Sequence, residues 1–245
     1  MLKVSAQTDI GKVRSINQDT VFVSAEAVGS LPNLFIVADG MGGHNGGEIA
    51  SKGAITYFCD YIESKGQGLT SGVLDLLTSA ANAANFGVFS EAEVNPELYE
   101  MGTTLTACTI EGGKCHIIHI GDSRAYAVTS GEITQLTSDH SYVNEMVKAG
   151  QITPSEARNH PKRNVLTQVL GPNPEMSADG YIVDVVPDSV ILLCSDGLYN
   201  MVPEDEIKTL INTSQEPAIA LVNAANNQGG MDNISVVVVK IEVIT

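Results

Sequence analysis

Leu34-Phe35-Ile36-Val37-Ala38-Asp39-Gly40 is an apolar run that stops on an aspartate and a glycine. Five consecutive apolar residues bounded by a turn signal read as a buried strand. The same grammar recurs three times. Ile117-Ile118-His119-Ile120 leads into Gly121-Asp122-Ser123, and Val190-Ile191-Leu192-Leu193-Cys194 leads into Ser195-Asp196-Gly197. Asp232-Asn233 introduces Ile234-Ser235-Val236-Val237-Val238-Val239.

One Asp-Gly after a strand is ordinarily a hairpin turn. Four strand-end aspartates in one chain of 245 residues point instead to a cluster. A short carboxylate on a buried strand end is held at little entropic cost. Several of them together repel one another unless a cation sits between them. Aspartate oxygens without accompanying Cys or His select Mg²⁺ or Mn²⁺ over zinc. His116 and His119 are three apart on a strand, so they face opposite ways and do not chelate one ion together. The calcium-loop pattern of EF-hands is absent.

Further strand-like runs lie at Thr104–Thr109, Ala125–Thr129 and Ile182–Val185, rich in Val, Ile and Thr. Glu111-Gly112-Gly113-Lys114 and Thr129-Ser130-Gly131-Glu132 are hairpin turns, which implies antiparallel pairing. Helical periodicity falls between the strands, over Ile49–Ile62, Val73–Ser90, Pro203–Ile211 and Glu216–Asn226. Ser141–Leu170 interrupts the strand series with a short helix stopped by Gly150 and a second begun by Thr153-Pro154-Ser155-Glu156, a capping box with proline at its first position. This insert is a candidate flap. Helix pairs alternating with antiparallel strands suggest helices packed outside a β-sandwich. With no Pro/Ser-rich linker and no repeat, one domain over residues 1–245 is the simplest organisation.

The composition, 43% hydrophobic and 17% charged, is an ordinary globular balance that supports one sizeable core. A formal charge of −16 repels the phosphate backbone, which argues against nucleic-acid binding. Cys59, Cys108, Cys115 and Cys194 form no C-x-x-C pair; all but Cys115 sit inside apolar runs and read as buried hydrophobes. The first residues, Met1 to Arg14, lack the apolar stretch of a signal peptide, and no segment is long enough to span a membrane. The expectation is a soluble, reduced, cytoplasmic protein.

Two features point to phosphate. Arg14 opens Arg14-Ser15-Ile16-Asn17-Gln18-Asp19, and a guanidinium fork matches phosphate oxygens. Asp39-Gly40-Met41-Gly42-Gly43-His44-Asn45-Gly46-Gly47-Glu48 is a glycine-rich turn from strand to helix, where backbone comes close to a ligand. It fits neither G-x-G-x-x-G nor the P-loop, which weakens a nucleotide-binding reading.

Taken in order, Arg14-x-x-Asn17-Gln18-Asp19, Val37-Ala38-Asp39-Gly40-Met41-Gly42-Gly43-His44, Gly102-Thr103-Thr104, Gly121-Asp122-Ser123-Arg124, Ser195-Asp196-Gly197-Leu198 and Asp232-Asn233-Ile234-Ser235 resemble the successive motifs of the metal-dependent protein phosphatases, the PPM or type 2C family, in its short bacterial branch. They span essentially the whole chain. The resemblance implies an α+β fold, a four-layer α-β-β-α sandwich of two antiparallel sheets flanked by helix pairs, with the insert at about 141–170 as the flap. It implies hydrolysis of phosphoserine and phosphothreonine in proteins, reversing a bacterial serine/threonine kinase, by a water bridging two Mg or Mn ions.

The resemblance also implies roles. Asp39 bridges the two ions and the Gly40 carbonyl binds one of them. Asp196 and Asp232 complete the first site, and Asp122 with Asp196 holds a third ion. Asp19 acts through metal-bound water. Arg14 holds the substrate phosphate. Phosphorylated proteins and the cognate kinase are the implied partners, and a monomer the implied state. Animal members carry a histidine after the Asp-Gly as general acid. Here that position is Met41, which leaves His44 or a metal-bound water to protonate the leaving group. Gln18 stands where other members carry Glu. Arg124 reads as a structural partner near Asp122. The competing readings are a catalytically weak phosphoprotein-binding scaffold and a phosphatase of small phosphate esters on the same fold.

Overall fold

A computed structural model describes residues 1–42, 46–65, 72–129 and 131–243. Among them, eleven strands form two antiparallel sheets. The first sheet runs in the order β1 (Leu2–Asp9), β11 (Ile234–Ile241), β10 (Val190–Cys194), β7 (Arg124–Thr129), β8 (Glu132–Gln135). The second runs β2 (Asp19–Ser24), β3 (Leu34–Met41), β5 (Leu105–Glu111), β6 (Lys114–Ile120), β9 (Asp179–Asp184), with the short β4 (Gly102–Thr103) also on β3. Helices α1 (Gly46–Ser64) and α2 (Val73–Val94) cover the second sheet; α6 (Glu204–Thr213) and α7 (Pro217–Asn227) cover the first. This is the expected α-β-β-α order.

The alternation of side chains along a strand explains the four layers. On β3, Leu34, Ile36 and Ala38 pack under α1 and α2, while Phe35 and Val37 face the other sheet. On β10, Val190, Leu192 and Cys194 pack under α6 and α7, while Ile191 and Leu193 meet Phe35 and Val37 in the core between the sheets. A strand covered on both sides needs apolar residues at every position, and these two runs supply them.

The expected strands and helices are present with boundaries moved by a few residues. The Glu111–Lys114 turn closes β5 onto β6 with Gly112 and Gly113 at φ 55° and 75°, the left-handed pair a tight hairpin requires. Ser130 of the other hairpin lies outside the described residues. The sequence reading lacked β1, β2, β4, β8 and the one-turn helix α5 (Asp196–Tyr199). In the insert, α3 (Tyr142–Lys148) is capped by Ser141, and α4 (Pro154–Arg158) carries the reciprocal Thr153/Glu156 capping box. No helix among the described residues is long and apolar enough to cross a membrane.

Candidate active site

The core between the sheets changes character at one end. By the same alternation, Asp39 continues the Phe35–Val37 face of β3, and Asp19 continues the Val21 face of β2. The two aspartates are direct cross-strand partners. Ser195 follows Leu193 at the end of β10, and Ser235 precedes Val237 on β11. Ser195 Oγ donates to Asp19 Oδ2 at 2.7 Å and accepts from the Ser235 amide at 2.9 Å. One end of an otherwise apolar core is therefore a carboxylate cluster with hydroxyls behind it.

The remaining carboxylates come from the turns that border this end. Asp122 lies between β6 and β7, Asp196 is the first residue of α5 after β10, and Asp232 precedes β11. Burial raises the proton affinity of Asp39 well above the usual carboxylate range, and repulsion from Asp19, Asp196, Asp122 and Asp232 raises it further. Asp196 is raised well above that range too, by burial and then by Asp122, Asp232 and Asp19. Burial pushes Asp19 up to about 6 against the lowering effect of Ser195. Asp122 is pushed up to about 6, by burial and then by Asp139.

Backbone geometry explains the glycines beside two of these aspartates. A Cβ on Gly40 would lie 2.0 Å from the Gly47 carbonyl oxygen, and one on Gly197 would lie 1.9 Å from that of Asn233. Only glycine lets the strand end pass under α1, and only glycine lets the start of α5 meet the loop before β11. Thr103-Thr104 clamps the Asp39 backbone: Thr104 Oγ1 accepts from the Asp39 amide at 2.9 Å, and Thr103 Oγ1 and the Thr104 amide both donate to its carbonyl.

The Arg14 guanidinium reaches the cluster and pairs with Asp232, Nη2 to Oδ2 at 2.7 Å. Its loop is held by Asn233. The buried Asn233 amide nitrogen donates to the Ile10 and Ile16 carbonyls, and its oxygen accepts from the Gln18 amide. Sequence reading gave Asn233 no role of its own, and likewise none to Ser195 or Asp139. Asn233→Ala would strand two carbonyls and one amide. It should cost about 2–4 kcal/mol, at the usual 1–3 kcal/mol per unsatisfied buried group with partial rescue by water. Urea unfolding of the variant checks this, and an unchanged midpoint would remove the tether.

The structure brings Arg14, Asp19, Asp39, Gly40, Asp122, Asp196 and Asp232 to one end of the sandwich. His44 lies outside the described residues. Arg124 does not pair with Asp122; its fork grips Asp139 at 2.7 and 2.9 Å and stacks 3.6 Å above the Tyr199 ring, whose hydroxyl donates to the Asp122 carbonyl. Cys194 is buried in β10 with its thiol pushed up to about 12 by burial, so it stays protonated and is not a nucleophile.

Among the described residues, no three His, Cys, Asp or Glu side chains close around a common point tightly enough to hold an ion. Asp232 is turned to Arg14, Asp196 Oδ2 accepts from Asn200, and the carboxylates repel. The chemistry of the set still fits a hard divalent cation. Every donor is oxygen, and the buried Asp19 Oδ1 and Asp196 Oδ1 have no hydrogen-bond partner.

The family model of protein phosphatase 2C matches residues 11–233. This chain belongs to that family. It is 37% identical over 240 residues to the serine/threonine phosphatase stp of Listeria monocytogenes, covering 96% of this chain and 94% of the relative. The solved structure of serine/threonine phosphatase Stp1 from Staphylococcus aureus superposes with a TM-score of 0.91 at 34% identity, over 99% of this chain and 96% of that one. The catalytic domain of the phosphatase PstP, solved in complex with two manganese ions, superposes with a TM-score of 0.86 at 33% identity, over 99% of each chain. The enzyme is a serine/threonine protein phosphatase, and its substrates are phosphoproteins.

Proposed function

We propose that this phosphatase is metal-dependent and that its chemistry takes place at the polar end of the inter-sheet core. The observation that carries this reading is the gathering of Asp39, Asp122, Asp196 and Asp232 in one electrostatic neighbourhood, with Arg14 paired to Asp232 at its edge. Five mutually repelling charges of one sign, counting Asp19, make sense as a site that cations neutralise. Asp39, the Gly40 carbonyl, Asp196 and Asp232 are the residues that would hold two ions, with Asp122 and Asp196 for a third. Mg²⁺ and Mn²⁺ both suit these oxygens; the manganese in the PstP structure favours Mn²⁺ as the ion to test first. When bound, the ions supply Lewis acidity and lower the pKa of water to near neutral.

The chain's own residues do the rest. Arg14 offers two parallel N–H donors to the equatorial oxygens of the phosphoryl group, countering the charge that builds there. Asp19 Oδ2 is already committed to Ser195, which leaves Oδ1 to accept from a water and orient it. The Thr103-Thr104 clamp fixes the Asp39 backbone, so its carboxylate is not reoriented during turnover. Water attacks phosphorus in line with the leaving serine or threonine oxygen. No phosphorylated enzyme is needed, in keeping with a protonated Cys194. His44 or water protonates the leaving group.

We further take the chain as one catalytic unit that carries a flap at 141–170. Hydrogen bonds from the His140 amide to the Gly121 carbonyl and between Thr103 and Leu170 root that segment beside the site. The physiological setting we propose is cytoplasmic signalling, as a monomer opposing a serine/threonine kinase, with no nucleic-acid or membrane partner. The four free cysteines suit a reducing compartment, and the charge of −16 disfavours nucleic acid.

The test is phosphate release from a phosphothreonine peptide with Mn²⁺ added and then with excess chelator. Release that stops with chelator supports the reading; release indifferent to chelator overturns the metal dependence. Arg14→Ala should lower kcat/KM about 10- to 100-fold, mostly through KM, because a charge-assisted hydrogen bond to phosphate is worth about 1.5–3 kcal/mol. An unchanged KM and rate would remove Arg14 from the phosphate site.

A further inference from the structure

Beside Met41, two residues along β3 from Asp39, lies a groove of about 410 Å³. At the rise of a strand, its near edge is about 7 Å from the Asp39 backbone, one or two residues of an extended peptide. Met41, Phe89, Tyr99 and Pro172 line it, and Glu93 and Glu100 stand on it. Met41 is 40% and Tyr99 71% exposed, so both side chains are open to a bound peptide. Neither glutamate has an ion-pair partner among the described residues.

The groove is built rather than incidental. Asn85 is buried in α2, and its side chain makes three hydrogen bonds to the 171–174 loop: to the Asn173 and Pro174 carbonyls and from the Gly171 amide. Thr103 and Leu170 exchange backbone hydrogen bonds, which fixes the start of that loop beside β4. On the facing wall, Glu100 sits at φ 59°, a left-handed conformation that non-glycine residues avoid and that persists where the surroundings impose it. The preceding turn, closed by Leu98 on Asn95 and Met101 on Leu98, presents Tyr99 and Glu100 together.

We propose that this groove reads the residues next to the phosphorylated serine or threonine and that it takes an arginine or lysine of the substrate protein. A groove that sets apolar side chains beside carboxylates matches a long basic side chain, whose methylene stem lies on Met41 and Phe89. Its cationic head meets Tyr99, Glu93 and Glu100. The inference rests on the phosphatase reading and adds a substrate class to it: phosphosites flanked by basic residues.

The experiment compares two phosphothreonine peptides, identical except for arginines or glutamates on both sides of the phosphoresidue, with p-nitrophenyl phosphate as a substrate too small to reach the groove. The native enzyme should favour the arginine peptide in kcat/KM. Glu93→Lys/Glu100→Lys should lower that preference about tenfold, since two exposed ion pairs are each worth up to about a factor of five. Turnover of p-nitrophenyl phosphate should stay within about twofold of native, as these side chains are placed outside the chemistry. Glu26→Lys/Glu216→Lys, at the far end of β2 and before α7, makes the same change in net charge away from the groove. An equal loss of preference in that variant would assign the effect to the overall field and overturn the groove. So would native turnover that ignores flanking charge. Absence of native turnover of all three substrates would instead overturn the phosphatase reading itself.

Discussion

Asp196→Asn is expected to lower kcat by about 10³-fold or more while leaving the fold intact. The size follows from what the carboxylate is asked to do. A divalent ion supplies several kcal/mol of charge stabilisation, and about 4 kcal/mol corresponds to three orders of magnitude in rate. Asp196 faces Asp122, Asp232 and Asp19 in one electrostatic neighbourhood, so removing its charge weakens every ion that the neighbourhood holds. The fold should not suffer. The backbone of α5 does not depend on that charge, and the contact with Asn200 survives as a neutral amide pair. The metal-free variant should melt at the same temperature as the parent or slightly higher, because one buried negative charge is gone. Low activity with a native or raised Tm would place Asp196 in the catalytic machinery. Low activity with a Tm many degrees lower would make it a structural residue, and full activity would remove it from the ion site.

The legibility of this fold in its sequence follows burial. β3, β10 and β11 are covered on both faces, so their continuous apolar runs are visible without any structure. β1 and β2 are partly exposed along most of their length, and Leu2–Asp9 mixes Lys, Ser, Gln and Thr with its apolar residues. Its pairing with β11 along all eight residues is decided by tertiary contact, which no local pattern reports. The site divides the same way. Aspartates at the ends of apolar runs are legible because the runs are. Ser195 and Asn233 are not, since their partners Asp19, Ile10, Ile16 and Gln18 lie from 176 to 223 residues away in the chain. Arg124 is legible as a structural residue near Asp122, but the carboxylate it grips is not: Asp139, fifteen residues on, takes its fork bidentately. Chain proximity is a poor guide to which carboxylate an arginine meets once a hairpin intervenes.

Divalent metal should stabilise this protein strongly near neutral pH and weakly in mild acid. Asp19 has an ordinary value of 3.8 and is pushed up to about 6 by burial; Asp122 is pushed up to about 6 as well. A carboxylate whose proton affinity is higher in the folded state favours folding while it is protonated. That contribution is complete below about pH 4 and is lost as the pH rises through about 6. For the buried Asp19 alone the loss is on the order of 2–3 kcal/mol, at 1.36 kcal/mol per pH unit. Above pH 6 Asp19 and Asp122 are therefore ionised in the metal-free cluster and repel their neighbours, which favours a cation; Asp39 and Asp196 hold their protons more tightly. At pH 5 protons occupy part of it and compete. With Mn²⁺ at a hundred times its Kd, linkage gives about 2.7 kcal/mol. A chain of this length gains about 2–4 °C per kcal/mol, so the Tm should rise by about 5–10 °C at pH 7.5. At pH 5 the same addition should raise it by less than half as much, and chelator should reverse both shifts. Thermal unfolding followed by circular dichroism, with and without Mn²⁺ at the two pH values, reads this without reference to activity. An equal shift at both pH values would mean that the metal binds somewhere other than these carboxylates. No shift at pH 7.5 would leave the charges of Asp19, Asp39, Asp122, Asp196 and Asp232 without the cation that their burial together requires.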